Sequence, residues 1–271
     1  MKANKSYYDI VFVVLVYKNI EVLKDFFKTL QIPFSYHVIV VNSYFDADSE
    51  KACQITAKDN DATFIPVKNR GYGSGNNVGC NYALDNFMFG HLIVSNSDII
   101  IKELSYLKEI RKTVAVLAPE TRMLNGHRQN PNIPFNSWLF MSLLKMGYKM
   151  NIPRIKAVGL AINRLYREIL FLYLRLLKKD YVKVFSAHGS FIIFTFDALE
   201  KLMPIFNEKM FLYNEELFLA YKCKKTSVPI YYVPKLKVLH LEGASSTESD
   251  NSWKNKRESF NVLMEWLRKE R

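Results

Sequence analysis

KNRGYGSGNNVG, Lys68 to Gly79, and HLIVSNSDIII, His91 to Ile101, are the two stretches whose reading decides the fold. Four of the chain's ten glycines, Gly71, Gly73, Gly75 and Gly79, fall within nine residues, just after the apolar run ATFIPV (Ala62 to Val67). Glycine adopts positive φ and lets backbone approach a ligand closely, so a cluster after a strand suits a nucleotide or phosphate site, or an ordinary glycine-rich turn. The spacing excludes two familiar loops. Asn76 stands where G-x-G-x-x-G needs its third glycine, and no G-x-x-x-x-G-K-[ST] is present. The second stretch ends an apolar run with Asn96-Ser97-Asp98, which offers one charged and one neutral oxygen to a hard divalent cation, or caps a helix beginning near Glu103.

Outward from these stretches the periodicity alternates. IVFVVLVY (Ile10 to Tyr17), YHVIVVNS (Tyr36 to Ser43), ATFIPV and HLIVSN read as buried strands. Helical spacing separates them at Ile20 to Leu30, at Asp48 to Asp59 starting from Asp48 or Ser49, and at Asn76 to Phe89. Alternating strand and helix predicts an α/β class with a parallel sheet covered by helices. Ligands in such sheets bind beyond the carboxyl ends of the strands, where both opening stretches fall. After TVAVLAPE (Thr113 to Glu120) the alternation stops. A loop rich in Asn and Pro (125–136) leads into helical stretches at FNSWLFMSLLKMGY and 155–179; strands return at YVKVFSA and SFIIFTF. A helix over Ala198 to Leu202, another in MFLYNEELFLAYKCKK, short strands IYYVP and KVLHL, and an amphipathic terminal helix complete the chain.

With 271 residues, 49% of them hydrophobic, the chain can build one large domain or two small ones and is not a disordered tail. Cys53, Cys80 and Cys223 are scattered, with no metal-finger spacing, which suits a reducing, cytoplasmic compartment. The first apolar run follows Lys2 and Lys5 as a signal peptide would, but Asp9 interrupts its start and Lys18-Asn19 replaces a small-residue cleavage site, so it reads as a buried strand. Of the net charge of +12, a net +8 lies between Lys145 and Phe185, where ten Lys/Arg face only Glu168 and Asp180. That concentration asks for an anionic partner, although no basic or stacked-aromatic motif accompanies it that would indicate nucleic acid.

In order, VLVYKNIEVL, VVNS, KNRGYGSGNNVG, IVSNSD, HGSFIIF, FLYNEELFLAYK and KVLHLEGASS resemble the bacterial glycosyltransferases of family 2, particularly rhamnosyltransferase-like members that build capsule, O-antigen or exopolysaccharide. The resemblance runs from the first strand to about Ser246 and is weakest from Asn125 to Tyr181. It implies a GT-A fold: a mostly parallel central sheet flanked by helices, with a helical insertion and C-terminal acceptor-side elements. One domain would span 1–271, with a nucleotide-sugar-binding half (1–120), an acceptor half (121–250) that includes the basic helical segment 136–180, and a terminal helix (251–271). The implied activity is inverting transfer of a sugar from a UDP- or dTDP-sugar to a hydroxyl of a glycan or lipid-linked glycan, with Mn²⁺ or Mg²⁺.

The same resemblance assigns residues. Tyr17, Asn42, Asn69, Gly71, Tyr72, Gly73, Asn76 and Asn96 would lie at the donor. Asp98 and His240 would hold the metal, and His188, Gly189 and Ser190 would face the acceptor. Inverting transfer needs a carboxylate to take the acceptor hydroxyl's proton, and Asn214-Glu215-Glu216 supplies two. Relatives read Glu-Asp there, which favours Glu216 as base with Glu215 beside it, against the plainer reading of an Asn-capped acidic helix start. This sequence departs from the family where a second downstream Asp is replaced by Phe218, and where Asn-Ser-Tyr follows the second strand, which leaves uridine or thymidine recognition open. Two other readings of the chain stand beside sugar transfer: a sugar nucleotidyltransferase, and a non-catalytic membrane-associated scaffold.

The basic segment VGLAINRLYREILFLYLRLLKK is interrupted too often to span a bilayer. Arg164, Arg167, Arg175 and Lys178 fall near one helical face beside Leu165, Ile169, Leu172 and Leu176. Such a helix lies on an anionic membrane surface, which would be the inner face of the plasma membrane, or packs on the core or against a second subunit in a homo-oligomer.

Overall fold

The computed structural model describes residues 5–110, 112–241 and 252–270. Its first part alternates as the periodicity predicts: β1 (Ser6–Val16), α1 (Glu21–Lys28), β2 (Tyr36–Ser43), α2 (Ala47–Asp59), β3 (Thr63–Val67), α3 (Tyr72–Asn86) and β4 (Phe87–Asn96). These strands pair in parallel in the order β3-β2-β1-β4. Side chains alternate across a strand, so a strand covered on both faces must be apolar throughout. In β1, Ile10, Phe12, Val14 and Val16 join Leu23 and Phe26 of α1 and Cys53 and Ala57 of α2. Val11 and Val13 pack on the other face, with Cys80 and Ala83 of α3.

Helix ends differ from expectation for identifiable reasons. Helix α2 starts before Asp48, because Asp46 Oδ1 accepts the Ser49 N–H at 2.7 Å while the Ser49 hydroxyl faces the Asp46 N–H, a reciprocal cap. Helix α3 starts at Tyr72 instead of Asn76, so the glycine loop is its first turns. It also ends three residues early, because Phe87 and Phe89 enter β4.

Beyond β4 come β5 (Ile99–Glu103), a 3-10 turn (Ser105–Glu109), β6 (Val116–Met123), α4 (Trp138–Lys149), α5 (Pro153–Leu177), β7 (Val182–Val184), β8 (Phe191–Thr195), α6 (Phe196–Leu202), α7 (Glu215–Lys225), β9 (Ile230–His240) and α8 (Ser252–Lys269). Strand β5 replaces the expected helix near Glu103. The two runs IYYVP and KVLHL form one strand whose register on β6 shifts around Pro234, a residue that cannot donate to the ladder. Strand β8 lies antiparallel between β4 and β6, β6 and β9 are parallel, and β5 and β7 pair antiparallel with β9, so the sheet is parallel in its first four strands and mixed beyond.

A third apolar cluster joins α8 to α4 and α7. Phe260 and Leu263 pack with Phe140, Leu144 and Tyr148 of α4 and with Leu217 and Phe218 of α7. Phe218 meets Trp266 at a tilt of 59° with ring centres 4.7 Å apart, and so serves this cluster.

Candidate active site

The sheet register builds the site. Asn96 ends β4 and Asp98 sits in the tight turn into β5, not at a helix cap. Because β5 runs antiparallel to β9, Ile99 pairs with His240, and the Leu241 N–H donates to the Asp98 carbonyl at 3.0 Å. Asp98 and His240, 5% and 6% exposed, are thereby held together, with His240 Nε2 3.2 Å from Asp98 Oδ1. His240 Nδ1 lies 2.8 Å from Gln129 Oε1, an acceptor, so in the neutral ring, the form that binds a metal, Nδ1 carries the proton and Nε2 presents a lone pair. The Asn96 amide, 3.5 Å from Nε2, fits that tautomer. Asp98 Oδ1 has no hydrogen-bond donor. Two lone pairs thus converge on one point, a donor set that suits a hard divalent cation, with Gln129 orienting the histidine from behind. Among the described residues no group of three or more His, Cys, Asp or Glu could hold a metal, so such an ion would complete its shell with ligand or water oxygens.

The start of β8 lies alongside. The Asn96 N–H donates to the Ser190 carbonyl at 2.9 Å, His188 Nδ1 pairs with the Ser190 hydroxyl at 2.9 Å, and the His188 N–H donates to Asn130 Oδ1 at 2.7 Å. Burial, with His240 and Arg167 nearby, pushes the His188 imidazole down to about 3, so it is neutral. Gln129 and Asn130, which orient both histidines, belong to the Asn/Pro loop. They were missed in the sequence because an irregular loop carries no periodicity that would single them out.

Glu215 and Glu216 open α7 facing this strand. Asn214 adopts φ 65° and makes no side-chain cap; its amide instead donates to the Lys256 carbonyl at 2.9 Å, tying α8 to the site. Glu216 is half-buried, and its Oε1 accepts the Gly189 N–H at 3.3 Å. Glu215 is 3% exposed and its Oε1 has no partner. Burial and the neighbouring Glu216 push the Glu215 carboxyl up to about 8, and burial raises Glu216 as well. Both carboxyls therefore resist ionising, Glu215 the more for the neighbouring charge of Glu216. Tyr72 closes the space by donating its hydroxyl to the Gly189 carbonyl at 2.7 Å.

At the other end of the same edge, Tyr17 follows β1 and meets Phe45 edge-on at 5.6 Å, with the Lys18 ammonium 4.2 Å from the Phe45 ring centre. Asn42, 1% exposed at the end of β2, has an unpartnered Nδ2. Phe45 and Lys18 were not singled out in the sequence. Asn69 is exposed, and its Oδ1 accepts the Gly71 N–H at 3.2 Å.

The glycines of the opening stretch are accounted for by packing. A Cβ on Gly71, whose φ is +98°, would lie 2.1 Å from the Phe211 carbonyl oxygen; on Gly73, 2.8 Å from Phe206 Cβ; on Gly75, 2.5 Å from Leu15 Cδ1; on Gly79, 2.4 Å from Val13 Cγ1. They let α3 lie directly on β1 and on the 206–211 segment. Gly73 and Asn76 are buried, and Asn76 Nδ2 donates to the Tyr72 carbonyl at 3.0 Å. The segment after Leu241 that was read together with His240 lies outside the described residues.

A sheet parallel in its first four strands and mixed beyond, flanked by helices, matches the GT-A fold of solved glycosyltransferases. Two solved structures share it: GalNAc-T7 with UDP, GalNAc and Mn²⁺ (TM-score 0.57, 11% identity, 97% of this chain and 48% of that one), and the mannosyltransferase PcManGT from Pyrobaculum calidifontis with GDP-Man and Mn²⁺ (TM-score 0.55, 13% identity, 96% of this chain and 65% of that one). The chain therefore spans about half to two thirds of the length of these structures. A curated relative, the low-salt glycan biosynthesis hexosyltransferase Agl10 of Haloferax volcanii, is 23% identical over 254 residues, covering 90% of this chain and 71% of that protein. No protein-family model matches the chain.

Proposed function

We propose that this chain is an inverting, metal-dependent glycosyltransferase. It moves a hexosyl or deoxyhexosyl unit from a nucleotide-diphosphate donor to a hydroxyl of a glycan or lipid-linked glycan during surface-polysaccharide synthesis. One observation carries the reading. Five buried side-chain polar atoms among the described residues lack a partner, and four of them belong to Asn42, Asn76, Asp98 and Glu215, within or bordering one edge of the sheet. Unpaired buried polar groups are costly and rare, so their concentration marks a place arranged for a ligand. The resemblance to rhamnosyltransferase-like enzymes and the relative named for glycan biosynthesis support sugar transfer; the neighbours bound to UDP or GDP-Man with Mn²⁺ support the donor class.

In this reading Tyr17 and Phe45 flank the nucleobase and the Asn42 amide donates to it. Lys18, Asn69 and the exposed Arg70 face ribose and phosphate. Asp98 Oδ1 and His240 Nε2 would hold Mn²⁺ or Mg²⁺, whose charge offsets that growing on the departing diphosphate. Enclosed Glu215, its carboxyl pushed up to about 8, stays protonated at neutral pH. Half-buried Glu216, which acts as base in its carboxylate form, takes the proton of the acceptor hydroxyl. The acceptor oxygen then bonds to the anomeric carbon as its bond to the diphosphate oxygen breaks, and the nucleoside diphosphate leaves with the electron pair. Gly189 keeps the approach to Glu216 narrow, and His188 and Ser190 line it. The test is sugar transfer across a panel of UDP-, dTDP- and GDP-sugars: Glu216→Gln should retain donor binding and lose transfer by about 10²-fold or more. Full activity in that variant would refute the assignment.

A further inference from the structure

We infer that the α4–α5 hairpin is a docking face for an anionic lipid bilayer, which its apolar side enters parallel to the surface. Helix α5 packs inward through Gly159, Asn163, Leu170 and Leu174. Its opposite side is not polar, as that of an ordinary surface helix would be. Val158, Leu165, Ile169, Leu172 and Leu176, spaced along one side, are 51% to 69% exposed, and Trp138 at the start of α4 is 81% exposed. Tyr166 of α5 meets Ser137 and Phe135, which brings the start of α4, where Trp138 stands, alongside the middle of α5. Five large aliphatic side chains exposed along one side of a helix mark an interaction surface.

Charge selects the occupant. Arg164 and Arg175 flank the aliphatic row with Glu168 as the one acid of α5 between them, and residues 145–185 as a whole carry net +8. Two copies meeting through this face would set like charges against each other, whereas an anionic bilayer satisfies both the cations and the aliphatic row. Arg167, grouped by sequence with the other basic residues, does not belong to the face: it turns inward and donates to the Arg128 carbonyl. No described helix is long and apolar enough to cross a membrane; α5, 25 residues and about 37 Å long, would lie in the headgroup region with Trp138 at the interface. The hairpin is also tied to the candidate active site, since Asn163 donates to the Asn132 carbonyl at 2.8 Å, two residues from the Asn130 that holds His188.

The test is co-sedimentation of the full chain with phosphatidylcholine vesicles with and without about one third phosphatidylglycerol, at two salt concentrations. It needs neither donor nor turnover, so it stands or falls separately from the proposed activity. Binding is expected only to the anionic vesicles and should weaken with salt. It should fall about tenfold or more in Arg164→Gln/Arg175→Gln and reach background in Leu165→Gln/Ile169→Gln/Leu172→Gln/Leu176→Gln. Trp138 emission should shift to the blue on vesicle addition, and Trp138→Phe should lose that shift while Trp253 and Trp266 remain. Absence of binding to anionic vesicles would overturn the inference. So would binding that survives the aliphatic substitutions, or a stable dimer that the same substitutions dissociate, which would give the face to a second copy.

Discussion

Gly189→Ala isolates the geometry of the proposed base. A Cβ at this position would lie 2.8 Å from Glu216 Oε1, 3.1 Å from its Cγ and 3.2 Å from its Cδ. Ordinary carbon–oxygen contacts begin near 3.4 Å, so the carboxylate must retreat by about 0.6 Å and its 3.3 Å bond from the Gly189 N–H is disturbed. Displacements of this order at a reacting group cost roughly 10- to 100-fold in rate, or about 1.4–2.7 kcal/mol in the barrier. Stability should change little, within about 1 kcal/mol, because only the end of a side chain moves and Gly189 does not need positive φ. The assay is nucleotide release at saturating donor and acceptor, with melting temperature and donor affinity measured in parallel. We expect kcat to fall, donor binding to hold, and Gly189→Ala to add almost nothing in a Glu216→Gln background, because both changes act through one carboxylate. An unchanged kcat, or a full additional loss in the double variant, would refute the reasoning.

Other predictions follow the same geometry. Gln129→Leu removes the acceptor of the His240 Nδ1 proton and should weaken Mn²⁺-dependent donor binding about 10- to 100-fold, measured by calorimetry. Glu215 binds a proton in the native state from its ordinary 4.5 up to about 8, so its contribution to stability is complete below pH 4.5 and declines as pH rises through that window. Glu215→Gln should therefore raise the melting temperature by a few degrees at about pH 9 and change it little at about pH 5, while equal shifts at both would contradict the burial argument. Gly71→Ala, blocked by the Phe211 carbonyl at 2.1 Å, should cost about 3 kcal/mol or more in chemical denaturation. Gly126→Ala shares positive φ but meets nothing within 4 Å, and should cost only about 1 kcal/mol.

The alternating apolar runs of the first hundred residues were legible because strands covered on both faces leave a continuous apolar signature, and β2 keeps the expected bounds Tyr36–Ser43. Strand β5 was not legible. IIIKE is too short for periodicity to separate strand from helix, and only its pairing with β9 makes it a strand. The glycine loop was legible as special but not as to why: its four glycines accommodate Phe211, Phe206, Leu15 and Val13, contacts that come from distant sequence. Asp98 and His240 were assigned to one metal only through the family resemblance, because their convergence depends on the β5–β9 register, which no local pattern encodes. Gln129 and Asn130 lay in a loop whose roles depend wholly on tertiary placement.

The most direct test of the donor site is thermal stability with UDP, dTDP and GDP, each with and without Mn²⁺, for the native chain and for Asp98→Ala. A ligand at about a hundred times its dissociation constant stabilises the native state by roughly 2.7 kcal/mol, enough to shift melting by several degrees. The account predicts that one diphosphate raises the melting temperature only when Mn²⁺ is present, and that Asp98→Ala abolishes the shift. Absence of a shift with every pairing, or a metal-dependent shift that Asp98→Ala leaves intact, would contradict it.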